Sequence, residues 1–326
     1  MFSPYLRYLK TLGIAVCTLI ALEGGASLGM FFHHLFVKRA FVSAEHASTE
    51  FDQELGWINR SKLAIPDFYG PGLSLTTNAQ RFREISDTPV SKPKGMTRLI
   101  CSGDSFTLGY GVGDLDTWCS LLKVSGKRET VNMGQGGYGL DQMYLWYVRD
   151  GAPLEHDVHV VAITLQDLVR MESGVFLGYP KPTLQLNAGR LQVVGPPLPR
   201  PSSLVQWRMV VARALGELRL TQVLLGSSHG GAFAPADYSV ITDSTMLKVE
   251  AVFRDLAARH KTRGSSLGVV LIPMSSDPRN ELSKRVEAKL EGILRELRVP
   301  VLNAIEELRA ESPAQVANFY IPEGVV

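Results

Sequence analysis

The chain has 326 residues, 45% of them hydrophobic and 20% charged, which is the balance of a folded globular protein able to bury a sizeable core. A formal net charge of +2, with basic residues scattered rather than striped, gives no electrostatic case for a nucleic-acid partner. Cys17, Cys101 and Cys119 sit in an apolar run, a strand-like run and a helical pattern. They predict neither a disulfide framework nor a metal site, since no CxxC or Cys/His cluster occurs. No cofactor is expected.

From Thr11 to Val37 the chain is nearly all apolar, broken only by Glu23, His33 and His34, and flanked by Arg7 and Lys10 before and Lys38 and Arg39 after. A run of that length can cross a bilayer core, which needs about 20 residues. Residues 1–39 are therefore expected to be an uncleaved membrane anchor, with a signal peptide cut between Ala26 and Ser27 as the alternative. Glu23 costs either reading something, and the flanking charges, two on each side, do not set orientation. Residues 40–95 are interrupted by Gly56-Trp57, the Pro66–Gly72 stretch and Pro89–Lys94, and are expected to be a linker and approach segment.

After Lys94 the chain alternates between short apolar runs and helical spacing. Thr97–Ser102, Glu129–Met133, His159–Leu165, Leu267–Met274 and Val299–Asn303 are predicted strands. Asp116–Val124, Leu140–Arg149, Ser244–His260 and Glu281–Leu297 are predicted helices. Alternation of this kind predicts an α/β fold with a parallel sheet between helix layers, and ligands bind beyond the carboxyl ends of such strands. Residues 170–240 interrupt the pattern. Thr183–Val194 has a hairpin signature with Asn187-Ala188-Gly189 as its turn, and Pro196, Pro197, Pro199 and Pro201 follow, so an insertion over one edge of the 96–326 domain is expected.

Three strand ends carry small or polar groups: Ser105, the Gly134–Gly139 turn, and Gln166-Asp167. A serine hydroxyl becomes a nucleophile only when a base takes its proton. Ser105 directly follows a strand on a turn that Gly103 permits, Asp104 can brace that turn, and the N–H groups beyond it can meet a developing oxyanion.

The string CSGDSFTLGYGVGDLDTW (Cys101–Trp118) resembles the first block of the GDSL/SGNH hydrolase family, with Ser105 at the nucleophile position. VNMGQGGYG (Val131–Gly139) is similar to the second block, where Gly137 matches the glycine whose N–H faces the oxyanion. TTNAQRFRE (Thr76–Glu84) resembles the N-x-x-G-F-R lead-in of membrane-tethered members, with Arg81 in place of the glycine; VLIPM and FYIPEG match later landmarks. The resemblance spans about residues 76–324 and implies a three-layer α/β/α fold with a flavodoxin-like five-stranded sheet. It also implies an ester hydrolase or O-acyltransferase acting on O-acylated, cell-envelope carbohydrate from the extracytoplasmic (periplasmic) side. Ser105 is then the catalytic residue, and Gly137, Gln166, Asp104, Asn132 and Asp167 are the oxyanion or substrate-binding set.

The sequence departs from the family in two places. The third block carries an Asn-Asp pair, and here Gln166 stands before Asp167, an amide displaced by one methylene. The last block, Asp-x-x-His, supplies the base, and no Asp-x-x-His occurs before the sequence stops at Val326. The alternative is therefore a truncated or degenerate non-catalytic copy that at most binds an acylated glycan. His229, in a glycine-rich turn, and His260, at a helix end, are the substitute bases to test. His156 and His159 stand at the wrong end of the third strand, and His33, His34 and His46 lie near the apolar run. Neither Gly109–Gly113 nor Gly134–Gly139 completes a phosphate loop. Asp114, Asp116 and Asp141 are expected as caps and solvated faces, and Trp118, Trp146 and Tyr147 as core; of these aromatics, Trp207, beside the proline-rich exit, is the better candidate to meet a ligand.

Overall fold

In a computed structural model, five strands form one parallel sheet: β1 (Thr97–Gly103), β2 (Arg128–Gly134), β3 (Val158–Ile163), β4 (Ser266–Leu271) and β5 (Val301–Asn303), in the order β2-β1-β3-β4-β5. The structure describes residues 10–15, 18, 21, 24–25, 48–176, 178–202 and 237–320. All five strands coincide with the sequence expectation to within a few residues. Apolar runs buried on both faces are what a parallel sheet covered by helices requires. In β1, every residue from Arg98 to Gly103 is buried. The α/β class and the flavodoxin-like strand order are as expected, with helices flanking the sheet.

Among the described residues from Thr97 onward, the α-helices are α1 (Ser105–Leu108), α2 (Trp118–Leu121), α3 (Leu140–Trp146), α4 (Leu165–Arg170), α5 (Asp243–Arg263), α6 (Glu281–Glu296), α7 (Ala304–Arg309) and α8 (Pro313–Ala317). Each long helix has an identifiable start. Thr242 accepts from the Thr245 N–H at the head of α5, and Asn280 accepts from the N–H groups of Leu282 and Ser283 at the head of α6. The helix expected over 140–149 continues past Trp146 as a π-turn through Tyr147–Gly151. Trp146 and Tyr147 are core residues, and so is Phe253 on α5.

Two compact units are distinguished: Met1–Ser43 with Pro201–Ala234, and Ala44–Arg200 with Pro235–Val326. In the first, residues 10–15, 18, 21 and 24–25 are helical. No helix among the described residues is long and apolar enough to cross a membrane, and most of the run 11–37 lies outside them. Trp207 and His229 lie outside them as well.

In the second unit, residues 48–95 pack into the sheet domain rather than lead up to it. Trp57, Ile58, Asn59, Leu75, Phe82 and Arg83 are all buried. The backbone N–H of Arg83 donates to Asn132 O at 3.0 Å, and Glu84 accepts from Asn132 N at 3.2 Å. The lead-in thereby covers the free edge of β2, an edge that would otherwise expose unpaired backbone groups. Arg81 takes φ 71, the left-handed backbone that glycine adopts most easily, and its guanidinium pairs with Glu50 at 2.8 Å. The expected hairpin forms as Thr183–Asn187 against Arg190–Val194, with Ala188 and Gly189 both at positive φ.

The cysteine expectation is overturned. Cys101 on β1 and Cys119 on α2 are disulfide-bonded with Cα atoms 6.1 Å apart. The partners are 18 residues apart in sequence, and only the fold of α2 onto the sheet brings them within bonding reach. Asp141, expected on a solvated face, is instead completely buried in an ion pair with Lys181 at 2.5 Å. Asp114 pairs with the buried Arg83 at 3.0 Å, while Asp116 is exposed as expected.

Candidate active site at the carboxyl edge of the sheet

Strand pairing fixes the geometry. Gly103 at the end of β1 pairs with Gly134 at the end of β2 and with Ala162 near the end of β3. The three strands therefore finish level. Ser105, Gly137 and Gln166 follow those strand ends by two or three residues, on the side where the strand order reverses on either side of β1. That reversal is the place where open α/β sheets bind ligands.

Ser105 is the first residue of α1 and half-buried. Asp104 caps this helix, its Oδ1 accepting from Phe106 N at 2.9 Å. Gly103 is required for a reason other than turn formation. A Cβ there would stand 1.9 Å from Thr107 Oγ1 and 2.7 Å from Ala162 O. A Cβ on Gly134 would stand 2.0 Å from Leu108 N. The helix bearing Ser105 thus lies directly on two bare glycines, and any side chain at either would push it off the sheet. Its far end is fixed by Arg83, which donates to the carbonyls of Gly109, Val112 and Ser74 at 2.6, 2.7 and 3.0 Å.

Gly137 adopts φ +77 in the loop after β2. Trp57 bolts this loop from both sides: its Nε1 donates to Gly136 O at 2.8 Å, and its own carbonyl accepts from the Tyr138 hydroxyl at 2.6 Å. Asn59 adds a donor to Gly134 O at 3.1 Å. Gln166 lies in the first turn of α4 and is half-buried. Neither the Ser105 hydroxyl nor the Gln166 amide hydrogen-bonds to another described residue.

Three residues expected to bind substrate do something else. Asn132 is fully buried, donating to Thr107 O at 2.8 Å and accepting from Gly134 N at 2.9 Å, so it fastens α1 to β2. Asp104 and Asp167 are buried around one cation. Arg170 Nη1 reaches Asp104 Oδ2 at 3.1 Å, Asp167 Oδ1 at 2.5 Å and Tyr138 O at 3.0 Å. Asp167 also accepts from Thr164 N at 2.8 Å. Burial, and secondarily the charge of Asp104, push the Asp167 carboxyl well above the usual carboxylate range, against the pull of Arg170. These side chains spend their polar atoms on the protein, which is why they shape the site without lining it.

The described histidines are gathered elsewhere. His159 pairs in register with Ile100, well before the strand ends, as the sequence placed it. Its Nε2 lies 2.8 Å from Ser102 Oγ and its Nδ1 lies 3.1 Å from His260 Nε2, while His260 Nδ1 lies 2.8 Å from Ser265 Oγ. His156 is engaged by the Tyr147 hydroxyl and Leu154 O at 3.1 and 2.7 Å. Tyr147 stacks on His159 at 3.8 Å. Both ring nitrogens of each are therefore occupied inside the core. Burial, followed by the neighbouring imidazoles, holds His159 well below the ordinary histidine range and His260 at about 4.

Trp57, Arg170 and Phe176 were not picked out as site residues by sequence reasoning. Arg170 was detectable in principle, because three residues after Asp167 on a helix is a pairing distance. Trp57 and Phe176 carried no such signal; long-range packing alone brings them to Gly137.

Among the described residues, no cluster of His, Cys, Asp or Glu could hold a metal ion. No family model and no curated protein matches the chain. Solved structures similar to it include the SGNH-hydrolase family esterase AlinE4, at 10% identity over 71% of this chain and 87% of that one, with a TM-score of 0.38. Another is LAE5, an alpha/beta hydrolase enzyme from the metagenome of Lake Arreo, Spain, at 13% identity over 67% and 84%, TM-score 0.37. A third, from Desulfitobacterium hafniense DCB-2, is described as lipolytic and of the G-D-S-L family, at 12% identity over 64% and 77%, TM-score 0.32.

Proposed function

We propose that this chain is an ester hydrolase or O-acyltransferase of the SGNH type, with Ser105 as its nucleophile. One observation carries the reading: Ser105 heads a helix seated on Gly103 and Gly134 at the switch point of the sheet, where Gly137 and Gln166 follow the ends of the two neighbouring strands. Ser105 Oγ adds to an ester carbonyl carbon, and the carbonyl oxygen takes the charge between the N–H groups of Ser105 and Gly137 and the Gln166 amide. The ester C–O bond then breaks, the alcohol leaves with the proton taken from Ser105, and water or a second hydroxyl accepts the acyl group. The blocks Cys101–Trp118 and Val131–Gly139 support this reading, and with it an O-acylated cell-envelope carbohydrate as substrate. The buried Cys101–Cys119 disulfide fits the extracytoplasmic side, because such bonds persist in oxidising compartments.

A second reading is favoured by the histidines. His156, His159 and His260 are committed in the core, so none of them takes the Ser105 proton; a non-catalytic protein that binds an acylated glycan keeps this same fold. Treating the protein with a fluorophosphonate probe beside a Ser105→Ala control separates the two. Labelling that disappears in the variant establishes an activated serine and directs the search for its base to His229. An unlabelled, folded protein leaves the binding reading.

A further inference from the structure

We propose that the Phe176 ring closes the acyl side of the Ser105 site, so that the protein accepts short acyl groups, acetyl before any longer chain. This rests on the ester-hydrolase reading above. Phe176 lies in a two-residue strand, Val175–Phe176, paired with Tyr179–Pro180, and it is half-buried. Its ring is laid against the bare Cα of Gly137. A Cβ on Gly137 would stand 2.4 Å from Cε1, 3.0 Å from Cδ1 and 3.1 Å from Cζ.

The ring is braced by partners that themselves hold the site. Trp57 stacks on it, with centroids 5.6 Å apart and planes 24° apart, and the same Trp57 is bonded to Gly136 and Tyr138 on either side of Gly137. The Arg170 guanidinium sits 5.4 Å from the centroid of Phe176, and the same guanidinium holds Asp104, the cap of the Ser105 helix. Phe176 therefore belongs to one rigid assembly with Gly137 and α1.

A carbonyl oxygen accepting from the Gly137 N–H at about 2.9 Å puts the reacting carbon within reach of this ring edge. Besides its oxygen, that carbon carries two groups: the acyl substituent, which stays bonded to it, and the alkoxy group, which leaves as the alcohol. The alcohol has to depart and, for a carbohydrate, stays attached to something large, so it needs the open side. The acyl substituent ends in the site and takes the closed side, where Trp57 and Tyr138 are buried behind Phe176. A methyl group ends before such a wall; a longer chain must displace a braced aromatic. Each methylene resolved by an apolar wall is worth on the order of ten- to a hundredfold in kcat/KM.

The test compares the full chain with its Phe176→Ala and Phe176→Leu variants on p-nitrophenyl acetate, butyrate and octanoate, with fluorophosphonate labelling and a melting curve for each protein. The expected wild-type kcat/KM falls at least tenfold from acetate to butyrate. Phe176→Ala is expected to raise the butyrate-to-acetate ratio at least tenfold, and Phe176→Leu by an intermediate factor, which keeps the test valid if the alanine variant does not fold. A folded, labelled variant with an unchanged chain-length profile overturns the proposal. So does a loss that is equal for all three esters, which would place the alcohol against the ring. A wild-type protein that neither labels at Ser105 nor cleaves any of these esters overturns the ester-hydrolase reading itself, and this inference falls with it.

Discussion

Arg170 Nη1 lies 3.1 Å from Asp104 Oδ2, which ties the helix after the third strand to the cap of the helix that Ser105 begins. The same nitrogen holds Asp167 and the Tyr138 carbonyl, so the loops after β1, β2 and β3 share one cation. Replacing it as Arg170→Met leaves the buried Asp104 and Asp167 without their counter-charge, each keeping a backbone N–H donor. A loss of about 3–5 kcal/mol in denaturant unfolding is expected, with Arg170→Lys less severe because it restores charge without the planar fork. A loss below about 1 kcal/mol for the methionine variant would mean that the cation is not what joins the loops.

Gly134 and Gly136 are two residues apart and should answer oppositely to alanine. At Gly134 the new Cβ meets Leu108 N at 2.0 Å and Thr107 C at 2.4 Å, both backbone atoms that cannot rotate away. A destabilisation above about 4 kcal/mol, or no folded protein, is expected. At Gly136 nothing lies within 4 Å and the backbone is not left-handed, so a change within about 0.5 kcal/mol is expected. Thermal melts of the two variants side by side decide this.

The Cys101–Cys119 bond closes a loop of 18 residues around the Ser105 turn. Chain-entropy reasoning gives it about 3 kcal/mol of stabilisation. Melting should therefore occur at a lower temperature in reductant, and in the Cys101→Ala/Cys119→Ala double variant whether or not reductant is present. Equal melting temperatures for the oxidised wild type and the double variant would contradict this.

The buried histidines make a pH prediction. His260 sits at about 4 when folded against an ordinary value of 6.5, so between these values the unfolded chain binds a proton that the folded one refuses. Its contribution is complete above about pH 6.5 and is lost as pH falls toward 4. Asp277 works in the opposite direction, because burial lifts it to about 6 and the folded state gains a proton first. Total stability also carries His159, shifted down like His260, and Asp167, shifted up like Asp277, so the difference between wild type and His260→Gln reports the part that depends on His260 and on its contact with His159. Unfolding free energy of the variant should fall less steeply from pH 6.5 to 4 than that of the wild type. Parallel curves would show that His260 is not the proton acceptor on unfolding.

The sequence by itself determined the sheet. Strands buried on both faces need continuous apolar runs, and those runs, separated by helical spacing, were visible from Thr97 to Asn303. It also placed Ser105, Gly137 and Gln166 after strands, because strand ends can be read from where apolar runs stop. Only the tertiary structure decided what those residues meet. Gly103 and Gly134 are fixed by the closeness of α1, which no local pattern announces. Asn132, Asp104 and Asp167 look like site residues in sequence, yet they are consumed by α1 and by Arg170. Cys101 and Cys119 become partners only once α2 packs on the sheet. Trp57 and Phe176, 119 residues apart in the chain, stack beside Gly137 because long-range packing, which leaves no periodic trace along the chain, brings them there.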